Sequence, residues 1–576
     1  MSWTPLEQWL VTEADTPQQQ PYDLPDQVSL PPAALRSRAL QLAAGLQQRR
    51  ITRLVLQFDD ASELAVALLG AWRAGATPIL AAEGQLPADA ELDCVLPASE
   101  GQQRSPLTVL GDRSGTLSVA ELLTAPLAPA PLSPAATLLL CTSGSSGRPK
   151  LILKRLHQLS TEVRTLHQLW GTELAGAVVI GSVAAHHIYG LLYRVLWPLA
   201  AGVPFMRIAR PFPEEMQQAS AAFAHTVWVA SPALLKRLGD AFDFQSLRGV
   251  RRIFSSGGAL PAPAAAVIAS RGGQWPLEIY GSSETGGIGW RQGQQPWQPF
   301  PGITVSCDAR GALQLASPYL PDHRPFVTAD AVTLHSDGRF ELGARLDRIV
   351  KLEDKRISLP QIEQRLCAHP WVVDARLGVL QERRAFLGAV VALSPAGRAA
   401  LRTQGRRAVT GTLREWLAHH TERLALPRRW RLVRELPFTA QDKLPAATLE
   451  VLLRAPRPRL PEQLDSVPNA HNEWTVQLRV PLDLAHFSGH FPGTPVLPGV
   501  VQISWALTIA RQLLPGLPPR FGGMEVIKFQ RLARPDDQLE LQLRWDEARG
   551  KLYFSYRSGA AACSSGRILL GASHDE

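Results

Sequence analysis

Two rhythms alternate along the first 130 or so residues of the chain. Apolar residues recur at helical spacing over Leu35–Leu46 and Glu63–Ala74, and unbroken apolar runs lie between and after them at Leu54–Phe58 and Thr77–Ala81. An amphipathic stripe must be laid against another layer, and a short apolar run without alternation suits a strand covered on both faces. The rhythm therefore predicts an open α/β layer. A Pro/Ala-rich stretch, TAPLAPAPLSPAA, leads into a strand at Thr137–Cys141, and further α/β units continue, so that residues 1–343 form one large part. A smaller unit is expected over 344–453, with strands at Ala375–Val379 and Leu387–Leu393 and a helix over Arg407–Leu424. The segment RAPRPRLPEQLDSVPNA, rich in Pro and charge and without period, reads as a linker over 454–469. In residues 470–576 an apolar helix, Val501–Leu513, precedes strand-like runs at Leu539–Trp545, Leu552–Tyr556 and Gly566–Leu570, an α+β order. There is no internal repeat.

A length of 576 residues fits about three or four domains. With 45% hydrophobic and 19% charged residues, a mainly disordered, collagen-like or coiled-coil chain is excluded. The formal net charge of +9 could suit nucleic acid, but only 8 of the 60 basic residues are lysines and the arginines are spread along the chain. A nucleic-acid surface would cluster them among aromatics; none is expected, while a phosphorylated carrier partner is compatible with the charge. The five cysteines are scattered without a CxxC pair, which argues against a disulfide framework or zinc site and for a reducing, cytoplasmic setting. The opening MSWTPLEQWLVTEAD has no basic n-region and reads as no signal peptide. Trp72–Arg73 and Arg194 interrupt the two longest apolar stretches, so no membrane span is expected.

Chemistry concentrates first in TLLLCTSGSSGRPKLILK, where a buried strand runs into Thr142, Ser143, Gly144, Ser145, Ser146, Gly147 and, after Arg148 and Pro149, Lys150. Glycines allow close approach to phosphate oxygens, hydroxyls and N–H groups donate to them, and the lysine adds charge. It is not a Walker A loop. A plain Gly/Ser turn between strand and helix is the other reading of this segment alone. Three further segments follow: Ile279-Tyr280-Gly281-Ser282-Ser283-Glu284-Thr285; Thr328-Ala329-Asp330 leading through Asp337-Gly338-Arg339 to Gly343-Ala344-Arg345-Leu346-Asp347-Arg348; and Leu436-Pro437-Phe438-Thr439-Ala440-Gln441-Asp442-Lys443.

In order and spacing these four segments resemble the adenylate-forming superfamily of acyl- and aryl-CoA synthetases, adenylation domains and acyl-carrier-protein ligases, over about residues 30–453. The resemblance implies a large adenylate-forming domain followed by a small mobile subdomain. It implies that Thr142–Lys150 holds the β- and γ-phosphates of ATP, that Tyr280 lies by the adenine, that Glu284 holds Mg²⁺ and that Thr285 meets the α-phosphate. Asp330 and Arg345 are implied ribose-side contacts, Asp347 the hinge, and Lys443 the lysine bridging the acyl carboxylate and the α-phosphate. Lys351 also falls on a motif position. Ala185-His186-His187-Ile188-Tyr189-Gly190 resembles the acyl-pocket motif, placing His187 near the carboxylate, although a satisfied core histidine is an equal reading. Gly257, Gly258 and Gly281 are expected to leave room for a flat or extended acyl group. Two departures are Asp354 and Asp442, where the family usually has glycine; the first leaves open whether the acceptor thiol is CoA or the phosphopantetheine of an acyl carrier protein.

The second cluster is His486-Phe487-Ser488-Gly489-His490-Phe491-Pro492-Gly493-Thr494-Pro495-Val496-Leu497-Pro498-Gly499-Val500, ahead of the apolar helix. It resembles the hot-dog-fold 3-hydroxyacyl-carrier-protein dehydratases and their aryl-polyene relatives, and implies that His490 is the base removing an α-proton. The acid of that family falls at Ser504, and no Asp or Glu lies between Gln502 and Arg511, so impaired dehydration is expected. The fold class read from the whole is thus α/β and α+β multidomain. The function expected is activation of a carboxylic acid, aryl and hydroxybenzoate-like, and its transfer to a carrier thiol. In that reading the chain resembles the ligase–dehydratase proteins of aryl-polyene and xanthomonadin clusters, as a homodimer through the hot-dog domain. A fatty acyl-CoA or -ACP ligase, and a hot-dog domain serving only dimerisation or docking, are the alternatives.

Overall fold

The computed structural model describes residues 3–12, 27–81, 107–112, 116–143, 149–239, 242–322, 324–352, 355–419, 421–438, 444–470, 472–491 and 493–571. They fall into two compact units, one up to Leu346 and one comprising Asp347–Pro437 and the chain from Leu444 onward. No helix among the described residues is long and apolar enough to cross a membrane.

Among the described residues, three sheets build the first unit. Thr108–Gly111, Arg53–Gln57, Thr77–Leu80 and Thr137–Ser143 run parallel, and Pro149–Arg155 returns antiparallel beside the last. In the second sheet Val178–Gly181, Thr226–Ala230, Val250–Ser255 and Leu277–Ser282 are parallel, and the chain folds back through Gly286–Gln292 and Gln298–Pro299. An antiparallel sheet of Thr304–Cys307, Ala312–Ala316, Phe326–Leu334 and Phe340–Arg345 completes it. Every residue of Thr226–Ala230 is buried, which is why such strands appear in the sequence as unbroken apolar runs rather than alternations. The helix Leu156–Trp170 buries Leu159, Val163 and Leu166, as its period requires, but also the polar Gln158 and Glu162.

In the second unit, Val372–Gln381, Ala385–Leu393 and Arg429–Val433 form a sheet whose core is shared with the helices Leu359–Cys367 and Pro395–Ala418. The helix expected over Arg407–Leu424 is displaced. It starts at Pro395, where Ser394 Oγ accepts the Gly397 N–H, departs from helical geometry at Gly405, and ends at Ala418. Arginines at Arg398, Arg402, Arg406 and Arg407 diluted the apolar period that would have marked its first turns.

The carboxy-terminal part wraps one helix, Gly499–Leu513, in six antiparallel strands ordered Glu462–Ala470, Glu473–Arg479, Gln538–Asp546, Lys551–Ser558, Ala561–Gly571, Arg520–Phe529. Trp505, Ala506, Ile509 and Ala510 of the helix share a core with Leu541, Leu543, Phe554 and Tyr556. The segment expected as a linker over 454–469 is only partly one, because Glu462–Ala470 pairs with Glu473–Arg479. As an edge strand it has no apolar face to reveal it: Leu464 is 41% and Val467 49% exposed.

Candidate functional site

In the first unit the site is built around the turn between Leu277–Ser282 and Gly286–Gln292. Gly281 faces the returning strand so closely that a Cβ there would lie 2.3 Å from the Gly286 carbonyl oxygen, which requires glycine. Inside the turn Ser282 N–H donates to Thr285 Oγ1 (3.1 Å) and Thr285 N–H to Ser282 Oγ (3.2 Å). Thr285 is fully buried and its hydroxyl donates to the Gly286 carbonyl (2.8 Å). This local network holds Tyr280 and Glu284 at either end of one tight turn.

Tyr280 donates its hydroxyl to Asp330 Oδ2 at 2.6 Å, and Arg345 Nη1 lies 3.7 Å from Asp330 Oδ1. The register of Phe326–Leu334 against Phe340–Arg345, which pairs Asp330 with Arg345, sets this geometry. The Tyr280 ring rests against Trp297 and Phe340, with centroids 5.6 and 6.2 Å away. Burial, then the Asp330 charge, pushes the Tyr280 phenol far upward, so it stays a donor. The result is an aromatic face beside an ionic pair, able to flank a flat base and grip vicinal hydroxyls.

Lys150 Nζ lies 2.8 Å from Glu284 Oε1. Burial works to raise the Glu284 carboxyl, but the Lys150 hydrogen bond and charge, with further donors, outweigh it and hold it below its ordinary range. A partly exposed carboxylate held ionised beside Lys150 and close to a hydroxyl-rich turn is the donor type a hard divalent cation takes. Thr142 closes the base of its loop by donating Oγ1 to the Lys150 carbonyl (3.2 Å).

Beneath this turn lies a cluster that motif reading passed over. Lys154, 2% exposed, donates Nζ to the Glu284 carbonyl (2.8 Å) and the Tyr319 carbonyl (3.2 Å). Gln158 Nε2 also donates to the Tyr319 carbonyl (3.0 Å), and Glu162 Oε1 accepts the Gly287 N–H (2.7 Å). Burial raises the Glu162 carboxyl to about 7 and lowers Lys154. A signal was present: Gln158 and Glu162 stand four residues apart on a helix whose other buried positions include Leu159, Val163 and Leu166, and Lys154 lies in the strand just before it.

The residues expected to line an acyl pocket lie near one another. His187 opens the Ile188–Gly190 turn and meets His186 edge-on at 4.2 Å. The Ala230 carbonyl accepts from both the Tyr189 hydroxyl (3.3 Å) and Ser256 N–H (3.4 Å), bringing the His187 turn to the Ser256–Gly258 segment. Gly257 adopts φ +96° with nothing within 4 Å of its Cβ position, and Gly258 has only Pro232 Cγ at 3.9 Å. Asp347, the expected hinge, is the first residue of the second unit. Gly144, Ser145, Ser146, Gly147, Asp354, Asp442 and Lys443 lie outside the described residues, as do the side chains of Ser143 and Lys351.

In the hot-dog part His490 Nδ1 lies 3.2 Å from the Val496 carbonyl. That contact assigns the proton to Nδ1 and leaves Nε2 as the basic nitrogen. The buried Gln502 is spoken for: its Oε1 accepts from Ser564 Oγ (2.6 Å) and its Nε2 donates to the Leu497 carbonyl (3.2 Å). Ser504 is exposed on the helix.

Together these features define a chain with an adenylate-forming fold and a hot-dog dehydratase domain behind it. Residues 25–310 match the AMP-binding enzyme family and residues 466–567 the ApeI-like family, ApeI dehydratase. The 4-coumarate–CoA ligase of Cereibacter sphaeroides is 28% identical over 318 residues, 54% of this chain and 71% of that protein. The 3-hydroxyacyl-[acyl-carrier-protein] dehydratase FabZ of Oenococcus oeni is 32% identical over 104 residues, 16% of this chain and 75% of that protein. Among solved structures, o-succinylbenzoate CoA synthetase from Bacillus subtilis with its acyl-adenylate superposes with TM-score 0.61 at 16% identity, covering 77% of this chain and 98% of that one. ATP-bound MatB from Rhodopseudomonas palustris does so with TM-score 0.60 at 19% identity, covering 74% and 96%. Residues 25–310 are thus an AMP-binding enzyme domain, and the carboxy-terminal part is a hot-dog dehydratase domain of the ApeI/FabZ type.

Proposed function

We propose that the first unit and the small subdomain activate a carboxylic acid with ATP and pass the acyl group to a thiol. The observation that carries this is the paired geometry around one turn: Tyr280 bonded to Asp330 beside Arg345 at one end, and Lys150 against Glu284 at the other. In this reading the first set takes the nucleoside and the second the phosphates. Glu284 would hold Mg²⁺, which offsets phosphate charge when bound. An acid carboxylate oxygen bonds to the α-phosphorus as pyrophosphate leaves. Lys443 stabilises the charge gathered in that transition state. The acceptor thiolate then bonds to the acyl carbon, and AMP departs.

The preferred acid is an aryl one, hydroxybenzoate-like. The likeness to 4-coumarate–CoA ligases supports this, as do the open Gly257 and Gly258. The preferred acceptor is an acyl-carrier-protein phosphopantetheine, an inference supported by fusion to a domain whose relatives act on carrier-bound chains. The hot-dog domain keeps its base in His490 and lacks an acid at Ser504, so its dehydration is weak. Its edge strand Arg520–Phe529 leaves Phe521, Met524, Val526 and Phe529 about half exposed, which supports a homodimer formed there. The test is acid-dependent ATP–pyrophosphate exchange across aryl and fatty acids, followed by loading of CoA or carrier protein. Exchange only with fatty acids would replace the aryl reading, and no exchange with any acid would remove the ligase one.

A further inference from the structure

In the small subdomain, Arg398 and Arg402 stand four residues apart on the helix Pro395–Ala418, and Arg406 follows its break at Gly405. Each reaches an aspartate of the hot-dog domain. Arg398 Nε lies 3.0 Å from Asp536 Oδ2, Arg402 Nη1 2.5 Å from Asp537 Oδ1, and Arg406 Nε 2.6 Å from Asp483 Oδ1. Arg434 adds a second contact to Asp536 (3.0 Å), and Arg457 a second to Asp483 (3.2 Å). The aspartate side chains are only 13%, 16% and 4% exposed. Charges this far out of water are not the loose surface pairs that contribute little. Backbone groups join them: Arg402 donates to the Pro535 carbonyl (2.7 Å) and Arg534 to the Arg402 carbonyl (3.0 Å). Leu482 is buried within the core of the small subdomain.

These contacts converge on the segment that carries His490. Asp483 begins it. Arg457, held on Asp483, donates to Ser488 Oγ at 2.7 Å and to the Leu484 carbonyl. The Ala533 carbonyl accepts the Leu497 N–H (2.8 Å), and the Asp537 carbonyl accepts the Val480 N–H (2.9 Å). A Cβ at Gly405, where the helix is broken, would sit 3.8 Å from Pro495 Cδ.

We propose that Arg398, Arg402 and Arg406 are positioning residues that dock the His490 segment onto the small adenylation subdomain, with Arg457 of the connecting segment bracing it from Asp483, making that subdomain and the hot-dog domain one body. Any rotation of the small subdomain then carries the hot-dog site with it, and with it an acyl chain held there. The docking stands independently of catalysis; only its consequence for His490 rests on the dehydratase reading above.

The test is hydrogen exchange on the full chain carrying Arg406→Met or Arg406→Lys. With methionine, amides of residues 484–491 should exchange at least about tenfold faster, since local opening of that segment loses its main anchor. Strands 387–393 and 541–556 should be unchanged. Lysine, which keeps a cation for Asp483, should recover a good part of the protection. Unchanged exchange at 484–491, or no recovery with lysine, overturns the proposal. Should methionine loosen the control strands as well, Arg457→Met is read in the same way, and faster exchange confined to 484–491 is again required. Because exchange is read without substrate, failure of the ligase or dehydratase reading leaves this result intact.

Discussion

Glu162→Gln isolates the buried polar cluster beneath the Tyr280–Thr285 turn. Glutamine keeps an oxygen to accept the Gly287 N–H, now 2.7 Å from Glu162 Oε1, so the perturbation is one of charge rather than shape. In the folded chain burial lifts the Glu162 carboxyl from its ordinary 4.5 to about 7. Between those values the folded state keeps a proton that the unfolded state has released. Glu162 therefore favours the folded state most below about pH 4.5, and that contribution is lost as pH rises toward 7. At roughly 1.4 kcal/mol per pH unit, the full effect is about 3 kcal/mol. Urea unfolding of parent and variant at about pH 5 and about pH 8, followed through the first unit, should show the variant gaining on the parent by roughly 2–3 kcal/mol at the higher pH. A stability difference that stays flat across that range would mean Glu162 is fully ionised in the fold, compensated by Lys154, and would refute the reasoning.

Lys443→Ala should lower adenylate formation by about 10²-fold or more while sparing transfer from preformed adenylate, read by pyrophosphate exchange against single-turnover thiol loading; equal loss in both would remove its assigned role. Asp330→Asn should raise the KM for ATP several-fold with a smaller change in kcat, because the Tyr280 bond of 2.6 Å weakens when the acceptor loses its charge. Ser504→Glu should raise dehydration of a 3-hydroxyacyl carrier measurably, within the about 10²–10⁴-fold that a general acid supplies, and His490→Ala should abolish the gain. Met524→Glu on the half-exposed edge strand should shift the chain from dimer to monomer in sedimentation at micromolar concentration.

Local chemistry sufficed for much of this protein. The turn Tyr280–Thr285 is legible because glycine at 281 and hydroxyls at 282 and 285 are what so tight a reversal needs. The parallel strands are legible because burial on both faces leaves an unbroken apolar run. In the Pro/Gly-framed His490 segment one contact, His490 to Val496, closes within six residues and is legible locally. Tertiary structure alone decided what depends on partners distant in the chain. The helical spacing hints at Gln158 and Glu162, but the partners of Lys154 and Glu162 around residues 284–287 and 319 are set only by the fold. Glu462–Ala470 carries no apolar face of its own and becomes a strand only because Glu473–Arg479 offers it a ladder. Arg398, Arg402 and Arg406 read as solvated helix charges, since nothing nearby in sequence announces Asp483, Asp536 and Asp537 as their partners. Short-range sterics and hydrogen bonds are written in neighbouring residues, whereas the pairing of buried charges is set by which surfaces the folded chain brings together.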